Sequence, residues 1–140
     1  MTTPEPKLWI ERVGTRHYRG FSERGGVVEV ADASTPDAFT PGELLKIALA
    51  GCTALTSDAP LERRLGEDFE ARIDLSGPKN TTEEYYPKIF EKFQLDLSAL
   101  DASAQERLLT VIKRAIDQAC TVGRTLERGT SIELEITSVK

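Results

Sequence analysis

Thr40-Pro41-Gly42-Glu43-Leu44-Leu45-Lys46-Ile47-Ala48-Leu49-Ala50-Gly51-Cys52 is the stretch that decides the fold. Its first four residues are a helix start. Thr40 stands at the N-cap and Pro41 at N1, where a missing N–H leaves nothing unsatisfied. Glu43 stands at N3, from where a carboxylate reaches back to the Thr40 amide. The remainder is apolar on nearly every side, with Leu44, Leu45, Ile47, Ala48, Leu49, Ala50, Cys52, Ala54 and Leu55. A helix of that kind is a buried one. It is expected to run to about residue 57, with a short second helix over residues 60–65 stopped by Gly66.

Outward from this helix the periodicity is that of strands. Residues 7–13, 17–23 and 27–31 read as three short strands, the last two joined by the turn signal Ser22-Glu23-Arg24-Gly25-Gly26. On the C-terminal side, residues 69–76 alternate (Phe69, Ala71, Ile73, Leu75), and residues 88–97 alternate again. Asp101 or Ser103 then opens a second long helix over residues 104–120. Its stripe is Leu108, Leu109, Ile112, Ala115, Ile116, Ala119 and Cys120. Ile132, Leu134 and Ile136 predict a last strand over residues 131–137. The order is β-β-β-α-β-β-α-β. This is an α+β chain with largely antiparallel sheets around two long helices, expected as one domain over residues 1–140.

Composition narrows the function classes. The chain has 140 residues, 18 Lys and Arg against 23 Asp and Glu, and a net charge of −5. An acidic chain does not make the basic face that nucleic acid requires. Two cysteines 68 positions apart and one histidine cannot build the usual four-ligand zinc site. Nucleotide-loop and serine-hydrolase signatures are missing. The longest apolar run, residues 47–52, is too short for a bilayer, and the first residues lack a secretory apolar region. The expectation is a soluble cytoplasmic protein with no membrane partner. A lasting structural disulfide is unusual in that compartment.

The two thiols are therefore the feature to explain. Cys52 shares a stripe with Leu45, Ala48, Leu49 and Leu55, and Cys120 with Ile112 and Ile116. Free cysteine is among the most buried side chains, so both could be inert core thiols. Reactivity is the alternative. Cys52, flanked by Gly51, Thr53 and Thr56, suits a dry pocket. One more helical turn would set Arg124 at i+4 from Cys120, where it could hold a thiolate.

Thr40-Pro41-Gly42-Glu43-Leu44-Leu45, then residues 48–51 and Cys52, resembles the "Pro-x-Glu-Leu-Leu … Ala-x-Cys" helix of the OsmC/Ohr family, the osmotically induced and organic-hydroperoxide-resistance proteins. Ala119-Cys120-Thr121-Val122-Gly123-Arg124-Thr125-Leu126, then Gly129, resembles the family's second cysteine block. The resemblance extends over essentially the whole chain. It implies an intertwined homodimer with thiol sites at the subunit interface. It also implies reduction of organic hydroperoxides, with Cys52 as peroxidatic and Cys120 as resolving cysteine, and regeneration by a dithiol such as a lipoyl group. No metal or organic cofactor is implied. The family's arginine follows its first strand, which matches Arg16, with Arg19 as second choice.

Two positions depart from the family pattern. Hydroperoxide-specialised members carry a Glu ten positions before the first Cys, where this chain has Gly42. Glu43 lies nine positions before it. On a straight helix nine residues turn about 900° and rise about 13.5 Å, so Glu43 faces away from Cys52 of its own chain. It is a site candidate only through a kink or the partner subunit, and a capping residue otherwise. The second departure is Thr121 where the family has Pro, which would preset a helix break after Cys120. Two other functions compete with a peroxidase. One is a non-enzymatic dimer that binds a small apolar ligand or senses oxidants at its interface. The other is a structural domain with inert thiols.

Overall fold

The computed structural model describes residues 5–139. The chain divides into two compact units, one ending at Ile47 and the other beginning at Ala48.

The first unit is a three-stranded antiparallel sheet of β1 (Leu8–Gly14), β2 (His17–Ser22) and β3 (Val27–Ala31), in that spatial order. The predicted turn forms between β2 and β3. Gly25 takes φ 100°, open to glycine at no steric cost. The Gly25 amide donates to the Ser22 carbonyl at 3.0 Å, and the Gly26 amide to Ser22 Oγ at 2.9 Å. Trp9 and Phe21 stand opposite each other in the β1–β2 register and stack with centroids 5.5 Å apart. β1 is an edge strand, yet Leu8, Trp9, Ile10 and Val13 are exposed on it.

α1 (Pro41–Leu65) starts in the first unit and lies mostly in the second. The predicted cap is formed: the Thr40 amide donates to Glu43 Oε1 at 2.8 Å, and the Glu43 amide to Thr40 Oγ1 at 3.2 Å. Two expectations for this helix change. It does not stop near residue 57; the segment expected as a separate helix over residues 60–65 is its last turns. Pro60 cannot donate to the Thr56 carbonyl, but Pro60 and Leu61 are buried, and packing overrides the proline. Nor is the helix covered all round. It buries Leu49, Ala50, Thr53, Ser57, Pro60 and Leu61, while Leu55 is 81% exposed. Over its 25 residues the helix is long and apolar enough to cross a membrane by length and composition, a property that core helices of soluble proteins share.

The second unit adds β4 (Ala71–Ser76) paired antiparallel with β5 (Phe90–Leu95), then α2 (Ala102–Ala119) and α3 (Thr121–Arg128). Asp101 caps α2, accepting from the Ala104 amide at 2.8 Å. The core is Leu61 of α1 with Leu108 and Ile112 of α2. Phe93 and Leu95 of β5, with Leu65, Phe69, Leu97, Leu100 and Ile116, pack around them. Each large apolar side chain so buried contributes about 1.5–3 kcal/mol. Of the stripe expected here, Leu108, Ile112 and Cys120 (just past the end of α2) are buried, Ala115 and Ile116 are partly buried, and Leu109 and Ala119 are exposed.

The C-terminal part departs from the predicted order. An unpredicted helix, α3, follows Cys120. The chain leaves α2 there at φ −76°, ψ 91°, the Cys120 amide still donating to the Ile116 carbonyl at 2.9 Å. Its carbonyl already accepts the first bond of α3, from the Arg124 amide at 3.0 Å. The break forms with Thr121, without the proline that the resemblance led one to expect there. The strand expected over residues 131–137 is not formed. A strand needs a neighbour to pair with, and among the described residues no strand pairs with this segment. Ile132, Leu134 and Ile136 are 91%, 83% and 85% exposed.

Candidate thiol site

Cys52 projects from the middle of α1, and Cys120 occupies the single residue between α2 and α3. Both belong to the second unit, and both are free thiols. The two thiols lie near enough to shift each other's ionisation, Cys120 favouring the Cys52 thiolate.

Their surroundings drive the two thiols in opposite directions. Cys52 is held below its ordinary value of 9.0. The largest cause is the backbone N–H of Val122, opposed by burial. The Cys120 thiol, the Thr121 N–H and the Thr56 hydroxyl add to the lowering. Thr121 and Val122 open α3, and the first amides of a helix have no partner within it and carry its positive end. The sequence that breaks the chain at Cys120 thus turns two unpartnered amides toward Cys52. Thr56 lies one turn on from Cys52 and shares its helix face. Cys120 is pushed above 9.0, chiefly by burial and then by Cys52. The Gly123 amide and the Thr53 hydroxyl oppose this more weakly.

Gly123 matters by what it lacks. A Cβ there would stand 3.1 Å from Cys120 Sγ and 3.7 Å from Leu49 Cδ1. Its absence lets the sulfur lie against the first turn of α3 and lets that turn approach α1. A thiolate-prone sulfur beside a second, protonated one is the arrangement that nucleophilic attack followed by disulfide closure uses.

The other sequence-predicted residues have local partners. Arg16 occupies the β1–β2 turn in the left-handed region (φ 52°), is 74% exposed, and donates through Nε to Asp32 Oδ2 at 2.9 Å. Hydrogen bonds from Ser34 and Arg16 lower Asp32 to about 2. Arg19 pairs with Glu29, which also binds His17 Nε2 at 2.8 Å. The carboxylate of Glu43 is held in the capping box. The expectation that Arg124 reaches the Cys120 thiol is corrected. Because α2 ends at Cys120, Arg124 folds back and donates to the Asp117 carbonyl at 2.8 and 3.2 Å. The groups missed in the sequence are backbone amides and a glycine, which no residue spacing marks. Thr53 and Thr56, named beside Cys52 in the sequence, both act on the pair, Thr56 on Cys52 and Thr53 on Cys120.

Residues 34–135 match the family model described as OsmC-like protein. The chain belongs to the OsmC-like family. The matched region of this OsmC-like protein begins after β3 and takes in both cysteines. Uncharacterized proteins of Mycobacterium tuberculosis and Mycobacterium bovis are 53% identical to it over 133 residues, covering 95% of this chain and 97% of theirs. An OsmC-like protein of unknown function from Vibrio cholerae superposes with a TM-score of 0.68 at 13% identity, covering 89% of this chain and 95% of that one. The organic hydroperoxide resistance protein of Bacillus subtilis superposes with a TM-score of 0.54 at 15% identity, covering 86% and 90%. The mixed α+β fold with antiparallel sheets and three helices is that of the OsmC-like structures.

Proposed function

We propose that this OsmC-like protein is a thiol-dependent peroxidase that reduces organic hydroperoxides in oxidative-stress defence. The observation that carries the reading is the Cys52–Cys120 pair, with Cys52 favoured as thiolate by the amides that open α3 and Cys120 kept protonated. The solved relative named for organic hydroperoxide resistance supports the substrate class.

In this mechanism the Cys52 thiolate attacks the outer oxygen of ROOH. The O–O bond breaks, the alkoxide takes a proton and leaves as ROH, and Cys52 becomes a sulfenic acid. The Cys120 sulfur, having lost its proton, attacks Cys52. The S–O bond breaks, hydroxide takes a proton and leaves as water, and a disulfide remains. A dithiol, lipoyl-type in our reading, restores both thiols by exchange. Arg16 is the candidate guanidinium for the peroxide oxygens, with Asp32 holding it at the turn. Glu43 could orient it only by giving up its bond to the Thr40 amide, so its capping role comes first.

The reading includes a homodimer in the cytoplasm. Three exposed apolar surfaces support the dimer: β1, Leu55 on α1, and the alternating segment at Ile132, Leu134 and Ile136. A second reading is an oxidant-sensing or ligand-binding dimer without turnover. It is favoured by the local partners of Arg16 (Asp32) and Glu43 (the Thr40 amide), which hold both side chains away from an orienting role.

Mixing pre-reduced protein with cumene hydroperoxide tests both. The peroxidase consumes about two thiols per chain within minutes and sustains turnover with dihydrolipoamide. Thiols that persist for an hour refute the peroxidase, and a single oxidation without turnover favours the sensor.

A further inference from the structure

Thr53 follows Cys52 in α1 and is buried, and its Oγ1 has no hydrogen-bond partner among the described residues. The helices here show what such a hydroxyl ordinarily does. Ser57, Thr110 and Thr125 each donate to the carbonyl four residues back, at 2.8, 3.0 and 2.8 Å. Thr53 does not take that bond. Its hydroxyl adjoins the Cys120 sulfur, where it favours the thiolate. The same sulfur lies against Gly123, in space that a Cβ would claim at 3.1 Å.

We propose that the Thr53 hydroxyl and the Gly123 amide form a cradle for Cys120 as an anion, with Thr53 a positioning residue for disulfide closure and reopening. The proposal rests on the thiol-pair reading of the site. In the reduced protein the Thr53 hydroxyl has no hydrogen-bond partner among the described residues. Once Cys52 is electrophilic, Cys120 releases its proton to solvent and must attack as a thiolate from a buried position. Two donors then meet the charge. When a reductant thiolate attacks Cys52 in the disulfide, the S–S bond breaks and Cys120 departs with the electron pair into the same cradle. The amides of Thr121 and Val122 serve Cys52, so each sulfur has its own donors.

Diamide tests this without any hydroperoxide. One thiol adds across its N=N bond, and the second thiolate then displaces the hydrazine as the disulfide forms. Pre-reduced full-length protein, Thr53→Val and Thr53→Ser are compared by quenched mass spectrometry from pH 6 to 10. Adduct formation should be unchanged in Thr53→Val. Closure should slow roughly tenfold at neutral pH, with its pH profile moved about one unit to the alkaline side, the equivalent of one lost donor. Thr53→Ser should restore both. Thr53→Ala replaces the valine variant if that one does not fold. Wild-type closure rate and pH profile in the hydroxyl-free variant, or failure of serine to rescue, overturns the proposal. A chain that closes with diamide yet ignores cumene hydroperoxide overturns the peroxidase reading alone.

Discussion

Cys52 and Cys120, 68 positions apart in the chain, shift each other's ionisation, Cys52 downward and Cys120 upward, and Cys120 is the single residue between α2 and α3. Both halves of that relationship have the same origin. Ending α2 at Cys120 places the sulfur against Gly123, and starting α3 at Thr121 supplies the amides that favour the Cys52 thiolate. A continuous helix would have consumed those amides in its own hydrogen bonds.

The order of the two ionisations is the first expected outcome. Alkylation by iodoacetamide follows the thiolate fraction. In Cys120→Ser, the remaining Cys52 should titrate below the ordinary 9.0; in Cys52→Ser, the remaining Cys120 should titrate above it. Rates measured from pH 6 to 11 give both midpoints. The reverse order would remove the electrostatic basis for naming Cys52 the attacking thiol.

Gly123→Ala should leave stability nearly level and impair closure. Alanine gains about 1 kcal/mol over glycine in a helix. Its Cβ would meet Cys120 Sγ at 3.1 Å, a contact that the sulfur must relieve by swinging away. Those effects offset each other in the melting temperature. Disulfide formation should fall roughly tenfold or more, since a displacement near 1 Å in a reacting geometry costs on that scale. Thermal melts and oxidation rates on the same sample separate the two effects.

The capping box was readable because it is local: Thr40, Pro41 and Glu43 fix the start of α1 with no help from the rest of the chain. Its end was misplaced because Pro60 is a local signal overridden by the burial of Leu61 and Leu108, which only the assembled core supplies. Alternation at Ile132, Leu134 and Ile136 marks a strand-competent segment, but pairing needs a neighbour, and alternation does not name one. α3 went unread because its N-cap is a cysteine, a residue outside the usual capping set. The site followed the same division. Both cysteines and Thr56 were visible as residues, whereas the groups that tune them are mostly backbone N–H groups aimed by the break at Cys120.

The C-terminal segment gives a prediction about assembly. Side chains as exposed as Ile132, Leu134 and Ile136 tolerate charge freely in a monomer. If a second copy covers them, Leu134→Glu should weaken the dimer by about 2 kcal/mol or more. Light scattering should then find about twice 15.5 kDa for the parent chain and the single-chain mass for the variant at micromolar concentration. Equal masses for both would mean that residue 134 lies outside the interface.

The Arg16–Asp32 pair fixes an acid limb in the stability profile. Asp32 is lowered from 3.8 to about 2 by Ser34 and Arg16. A carboxylate depressed in the folded state stabilises it fully above the unfolded value. That stability is lost as pH falls through the folded value. Asp32→Asn should therefore be less stable than the parent at pH 6, and the gap should close between about pH 4 and pH 2. Urea unfolding at several pH values measures it. A gap that stays constant down to pH 2 would show that the bonds of Asp32 do not depend on its charge.

Glu43→Ala separates capping from catalysis. Removing the carboxylate leaves the Thr40 amide without its 2.8 Å acceptor, while Thr40 Oγ1 keeps its own bond to the amide of residue 43. Half a capping box is lost, worth about 0.5–1 kcal/mol. That corresponds to a drop of a few degrees in Tm for a chain of this size. Because the bond is spent at the start of α1, the rate of thiol consumption by cumene hydroperoxide should change less than twofold. A loss of a hundredfold or more in that rate, with the melting temperature nearly unmoved, would reverse the assignment. It would mean that Glu43 leaves its cap to orient a guanidinium at the thiol site, taking the part that Gly42 cannot.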